Sequence, residues 1–189
     1  MSTIGFDTSN YTTSTAWTDG KTDINVRQIL YVKDGERGIR QSDGVFQHMK
    51  LMPVMYEKLS EQIDFKDVKA VGVSTRPRCV EGSYMPVFLA GEGYAKVVAN
   101  TVGVPLYEFS HQDGHIMAGI YSSGSFELLE NDFISVHLSG GTTEILKSRY
   151  NGFNFDNEII GGSKDISAGQ FIDRVGVKMG LNFPAGKAL

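Results

Sequence analysis

Two histidines four residues apart, His111 and His115, stand in the segment Ser110-His111-Gln112-Asp113-Gly114-His115. At i and i+4 of a helix they share one face, and two neutral imidazoles so placed can bind one metal ion. Ser110 followed three residues later by Asp113 has the form of a capping box, which would start the helix at Ser110. Two ordinary polar residues at a helix start have the same spacing, so the spacing alone leaves both readings open. A metalloprotease motif uses it too, but needs glutamate directly after the first histidine as general base. Gln112 stands there and cannot take a proton, which disfavours peptidase chemistry.

The second candidate is the turn Leu138-Ser139-Gly140-Gly141-Thr142-Thr143. A turn of small residues between strands can present consecutive N–H groups to an anion, and two glycines let a phosphate or ribose approach closely. A plain Gly-Gly hairpin reads identically. Its counterpart near the N-terminus is Asp7-Thr8-Ser9-Asn10, where Asp7 closes the first strand and would face phosphate-bound metal or water. The third candidate is residues 165–181, with Phe171, Val175 and Met179 at helical spacing and expected to face the core. Asp173 lies among them, exposed or aimed at a ribose. Gly186, in the loop Phe183-Pro184-Ala185-Gly186, could lie under an adenine.

These residues need elements to hold them. Residues 3–8 (TIGFDT), 12–18 (TTSTAWT) and 24–32 (INVRQILYV) read as three strands joined by short turns. Val45, Phe46, Met49, Met52, Tyr56, Leu59 and Ile63 then recur at helical spacing, with Pro53 expected to kink or break the helix. Residues 70–74 are a short apolar strand. Residues 86–100 form a helix with Val87, Ala90, Tyr94, Val97 and Val98 inward, and residues 104–109 are a fifth strand before the helix of the two histidines. The order β-β-β-α-β-α-β-α predicts an α/β fold and matches the ribonuclease-H-like unit of the actin and sugar-kinase superfamily. After the glycine-serine stretch 122–125, residues 133–146 (FISVHLSGGTTEIL) repeat the grammar of residues 4–17. We therefore expect a first lobe at 1–125 and the N-terminal part of a similar, truncated second lobe at 126–189. Duplicated lobes of this kind hold a ligand between their hairpin turns.

Composition narrows the class. Of 189 residues, 41% are hydrophobic and 21% charged, the balance of a globular protein rather than of a disordered or coiled-coil chain. A net charge of −4 and a pI near 5.5 argue against a chain that grips nucleic acid by its own charge. The single cysteine, Cys79, excludes an internal disulfide. Neither a leader nor a membrane-length apolar run is visible, so a cytoplasmic location is expected.

Together these segments resemble the TsaD family, long called O-sialoglycoprotein endopeptidases or glycoproteases. Phe6-Asp7-Thr8-Ser9 is similar to the family's opening Glu/Asp-Thr-Ser turn, and HQDGH to its HxEGH metal motif. LSGGTT resembles its VSGGHT nucleotide loop, and residues 165–186 its DDAAGEAFDKxAxxLGLxYPGG. The resemblance implies a two-lobed actin-like fold with one divalent ion, iron or zinc, on His111 and His115. It implies contacts to an ATP- or AMP-type nucleotide, or to threonylcarbamoyl-AMP, at Leu138, Ser139, Gly140, Gly141, Asp173 and Gly186, with Asp7 in a catalytic role. The family moves threonylcarbamoyl from threonylcarbamoyl-AMP to N6 of a tRNA adenosine, with TsaB-like and TsaE-like partners, and tRNA is expected only through such a complex.

Departures mark a divergent paralogue. Thr142 replaces the family's histidine, residues 74–86 replace its GPGxxxGxL pattern, and the further Asp ligand is absent. This chain alone is thus expected to be inactive, and a non-catalytic TsaB-like scaffold or a nucleotide-binding paralogue is the alternative. A sugar-kinase-like phosphotransferase would leave HQDGH unexplained, and the glycoprotease name suits the residues least.

Overall fold

A computed structural model describes residues 1–33, 38–186 and 188. Its elements are β1 (Ser2–Asp7), β2 (Thr12–Thr18), β3 (Asp23–Ile29), α1 (Gln41–Ser60), β4 (Val68–Arg76), α2 (Phe88–Val102), β5 (Leu106–Ser110) and α3 (His111–Ser123), followed by β6 (Phe133–Leu138), β7 (Thr143–Tyr150), β8 (Phe155–Gly162) and α4 (Ala168–Lys178). The first eight follow the order expected from the sequence.

Five strands form one sheet in the order β3-β2-β1-β4-β5. β1 to β3 are an antiparallel meander, whereas β4 runs parallel to β1 and β5 parallel to β4. Alternation along β1 buries Ile4 and Phe6, which sit level with Val71 and Val73 of β4. Met52 and Leu59 of α1, with Ala95, Val98 and Ala99 of α2, complete this core. β6, β7 and β8 form a second, antiparallel sheet. This is a mixed α/β architecture, with the parallel strands that the sequence order requires.

The chain divides into two compact units, Met1–Gly114 and His115–Leu189. The division falls within α3, earlier than the glycine-serine stretch at 122–125 that the sequence singles out. The helix's first turn is bonded into the first unit, where the Gln112 N–H donates to the Pro77 carbonyl at 3.0 Å.

α1 departs from its expected face. Its buried residues are Gly44, His48, Met52, Met55 and Leu59, while Phe46 and Met49 are exposed. A stripe at 44, 48, 52, 55 and 59 is regular helical spacing, but two members are not apolar, so hydrophobicity alone placed it off-centre. His48 is tolerated inside because its Nδ1 bonds the Thr13 hydroxyl at 2.8 Å. On α2, Val97 is 63% exposed, contrary to expectation, while Val87, Ala90 and Val98 are buried as expected. α2 ends at Gly103, whose φ of +76° gives the left-handed cap that glycine accepts most readily.

Pro53 does not break α1, which runs unbroken through it. Proline lacks the N–H that would bond the carbonyl four residues earlier, here that of Met49. The Tyr94 hydroxyl, on α2, donates to that carbonyl at 3.0 Å. One orphaned backbone group thus becomes a tie between helices.

α4 also corrects its expected orientation. Phe171, Val175 and Met179 do not face a core: Phe171 is 58% and Met179 66% exposed. A Cβ on Gly169 would lie 2.5 Å from the Ser139 carbonyl oxygen, and Gly176, seven residues on, is buried. The helix meets its neighbours through glycines, on the side away from its apolar row. β8 carries no signal that the sequence reading picked up.

Tyr94→Phe should lower stability by about 1 kcal/mol, the worth of an ordinary hydrogen bond, measured as a shift in the urea midpoint. In a Pro53→Ala background, where an amide N–H serves Met49, the same change should cost clearly less.

Candidate metal and nucleotide site

β1, β4 and β5 run in one direction, so their carboxyl ends share an edge of the sheet, the edge where open α/β sheets bind ligands. Asp7 ends β1, Ser74 and Arg76 lie at the end of β4, and Ser110 closes β5. There Asp7 Oδ2 bonds His111 Nδ1 at 2.8 Å, while Oδ1 accepts the Ser9 N–H at 2.7 Å. Burial raises the Asp7 pKa, but His111, through its hydrogen bond and its charge, with help from Ser9 and Ser74, more than offsets this and holds it at about 2.

His111 is placed by the start of its own helix. The Ser110 N–H and hydroxyl donate to Asp113 Oδ2 at 3.2 and 2.7 Å, and the Asp113 N–H donates back to the Ser110 hydroxyl at 3.1 Å. This is the expected capping box, with aspartate in the third position. Asp113 is buried, and its Oδ1 has no hydrogen-bond partner among the described residues.

Thr8, beside Asp7, fixes α2. Its hydroxyl donates to the Val87 carbonyl at 2.8 Å and accepts the Gly91 N–H at 3.0 Å. A Cβ on Gly91 would lie 2.9 Å from that hydroxyl oxygen, so glycine permits the approach. Sequence reading passed over Thr8 and His48; the only signal was that each is a polar residue at a core-facing position.

The remaining expected residues lie in the second unit. Ser139 Oγ accepts the N–H groups of Gly141 at 3.2 Å and Thr142 at 2.9 Å, and bonds the Thr142 hydroxyl at 2.8 Å. A Cβ on Gly140 or Gly141 would meet nothing within 4 Å, and Leu138 is exposed. The turn rests on the start of α4: Ser167 Oγ donates to the Gly140 carbonyl at 2.9 Å and accepts the Gln170 N–H at 3.2 Å, capping the helix. The Ala168 N–H donates to the Thr143 hydroxyl at 2.6 Å. The positive end of α4 therefore lies against the turn. Asp173 Oδ1 accepts the Ala185 N–H at 2.8 Å, which draws the loop carrying Gly186 onto α4. His115 lies with its ring centroid 5.5 Å from that of His137, on β6.

Asp7 and His111 are thus brought together, as are the 138–143 turn with the start of α4 and Asp173 with the Gly186 loop. Among the described residues no three His, Cys, Asp or Glu side chains form a metal-holding group. The donor chemistry nevertheless fits the implied ion: a carboxylate on one nitrogen of a histidine is the usual device for orienting the other toward a metal.

A family model described as TsaD, tRNA N6-adenosine threonylcarbamoyltransferase, matches residues 36–189. The chain belongs to the TsaD family. A tRNA N6-adenosine threonylcarbamoyltransferase from Christiangramia forsetii is 31% identical over 138 residues, covering 72% of this chain and 38% of that protein. The enzyme of the same name from Lactobacillus acidophilus is 35% identical over 134 residues, 70% of this chain and 35% of that one. The chain thus spans under two-fifths of the length of these curated relatives. Among solved structures it is similar to YeaZ from Pseudomonas aeruginosa, at 11% identity and a TM-score of 0.52, covering 89% of this chain and 70% of that one. EutJ from Carboxydothermus hydrogenoformans gives 16% and 0.53, covering 100% and 60%. These likenesses show the fold of this TsaD-family chain, which is actin-like.

Because the Asp7 pKa is depressed from 3.8 to about 2, its ionised form stabilises the fold fully above the unfolded value and loses that contribution as pH falls through the folded one. The stability advantage of the wild type over Asp7→Asn should therefore hold at pH 5 to 7 and shrink between about pH 4 and pH 2. Urea titrations across that range, run on both proteins, measure it.

Proposed function

We propose that this protein acts in tRNA threonylcarbamoyladenosine biosynthesis, moving threonylcarbamoyl from threonylcarbamoyl-AMP to N6 of a tRNA adenosine. The family match over residues 36–189 carries this reading, and the Asp7–His111 pair at the ligand-binding edge of the sheet supports it. His111 and His115 would hold an iron or zinc ion, which when bound would supply Lewis acidity at the carbamoyl carbonyl. Asp7 keeps the His111 ring in one orientation and one tautomer. The turn Leu138-Ser139-Gly140-Gly141 and the positive end of α4 receive the AMP phosphate, while Asp173 and the Gly186 loop border the nucleoside. A nucleotide so held presents an aligned acyl centre to the incoming amine.

The chain carries a net charge of −4, so tRNA is engaged through a complex with TsaB-like and TsaE-like proteins, in the cytoplasm. No helix among the described residues is long and apolar enough to cross a membrane. Thr142, in place of the family's histidine, and the altered 74–86 segment favour a second reading, a nucleotide-binding or TsaB-like scaffold without catalysis.

Nucleoside mass spectrometry on tRNA from cells depleted of their own TsaD, and supplied with this segment in a protein of its relatives' full length, separates the two. Restored threonylcarbamoyladenosine is expected; its absence, with the protein folded and its partners present, would overturn the transferase reading in favour of a paralogue with another acceptor or none. Gly140→Val fills open space without a clash in the protein, so it should leave the melting temperature unchanged. It should weaken AMP binding by about 1 kcal/mol or more through exclusion at the close approach, read by calorimetric titration.

A further inference from the structure

Residues 74–86, which replace the family's glycine pattern, bring an arginine to the carboxyl edge of the first sheet. Arg76 is the last residue of β4. The β4–β5 ladder shifts register just before it, pairing Ser74 with Phe109 and Arg76 with Ser110, so Thr75 is the extra residue of a bulge. Bulges re-aim the end of a strand beside a site. The next residue, Pro77, accepts the Gln112 N–H at its carbonyl, at 3.0 Å. Residues 76 and 77 are therefore held against 110 and 112, and the residue between those two is His111. The loop beyond is closed on itself. The Arg78 N–H donates to the Ser83 hydroxyl at 3.0 Å, and the Ser83 N–H to the Val80 carbonyl at 3.2 Å.

The Arg76 side chain is half-buried and fixed in place. Its Nη1 donates to the Thr75 hydroxyl at 3.1 Å and its Nη2 to the Cys79 Sγ at 3.7 Å. Neither acceptor is a carboxylate, and Arg76 forms no ion pair among the described residues. A guanidinium has five N–H donors, so more remain than these two bonds use. Keeping a partly desolvated charge without a counterion costs free energy, and an anionic ligand would recover it. The planar fork matches a carboxylate through two parallel hydrogen bonds.

We propose that Arg76 receives the carboxylate on the threonyl part of the acyl donor, and so selects donors that carry one. This inference rests on the threonylcarbamoyl-AMP reading above. That reading gives the donor's phosphate to the turn Leu138-Ser139-Gly140-Gly141, which leaves the carboxylate as its unassigned anion. Only a nitrogen and one carbon separate the carboxylate from the carbamoyl carbon. The same reading puts the carbamoyl group beside His111, and the Arg76 backbone runs alongside His111. A receptor for the carboxylate is needed within that short reach, and Arg76 supplies it.

The test is calorimetric titration of the purified protein, with this segment at its relatives' full length, against three ligands. They are a non-transferable analogue of threonylcarbamoyl-AMP, the same molecule built on 1-amino-2-propanol, which lacks only the carboxylate, and AMP. The wild type should prefer the first analogue to the second by at least about tenfold, the order that a hydrogen bond to a charged group supplies. Arg76→Gln should erase that preference while AMP binds as before. Arg76→Lys keeps the charge without the fork and should retain only part of it. Melting curves report the fold; if Arg76→Gln does not fold, an undiminished preference in Arg76→Lys overturns the inference. A preference that survives in folded Arg76→Gln, or none in a wild type that binds AMP, overturns it and leaves the nucleotide reading standing. Equal losses for AMP and the first analogue in Arg76→Gln overturn it too, assigning Arg76 to the phosphate. No binding of any of these ligands by the wild type overturns both readings.

Discussion

The hydrogen-bonded pair of Asp7 and His111 joins residues 104 positions apart, and much of the first unit exists to make that bond. It requires β1, β4 and β5 to run in parallel, so that the ends of the first and last coincide in space. It requires α3 to begin directly after β5, which the reciprocal Ser110–Asp113 bonds enforce. Next to it, Thr8 holds the first turn of α2 against the same strand end. Three chain segments thus converge on two consecutive residues, and the carboxylate they bring together stays charged throughout the neutral range.

The second unit reaches its local order by a different route. Its helix docks through backbone contacts rather than through large side chains. Gly169 passes over Ser139, Ser167 donates to the Gly140 carbonyl, Thr143 accepts the Ala168 N–H, and Asp173 holds the returning loop. Such contacts fix position tightly while burying little apolar area. They suit a segment whose large side chains remain exposed.

Much of this was legible in the residues. Element order, the parallel strands, the capping box and the strand-turn-strand at 133–146 all follow from spacing and turn chemistry. The placement of Asp7 and His111 was legible too, because each sits at or directly after the end of a strand. What hydrophobic periodicity missed has one common cause: it assumes that apolar side chains mark the inward face. In α1 that face includes a hydrogen-bonded histidine and a glycine, and in α4 it is a row of glycines with the apolar residues on the other side. Pro53 misled for a related reason. The rescue of its orphaned carbonyl comes from a tyrosine 41 positions along, which no local rule sees. The His115–His137 approach is equally non-local, since it depends on how β6 lies beside α3.

The Ser139 side chain bears on the energetics of any ligand at the glycine turn. Its oxygen already accepts the two N–H groups that an incoming anion would use. Binding there is consequently an exchange in which the hydroxyl rotates away and a more highly charged oxygen takes its place. The net enthalpy is the difference between two sets of hydrogen bonds, and charge-assisted bonds are roughly twice as strong as neutral ones. Neutral ligands gain almost nothing from such an exchange, whereas a phosphate does. A turn so arranged would discriminate an anion from a neutral ligand by charge.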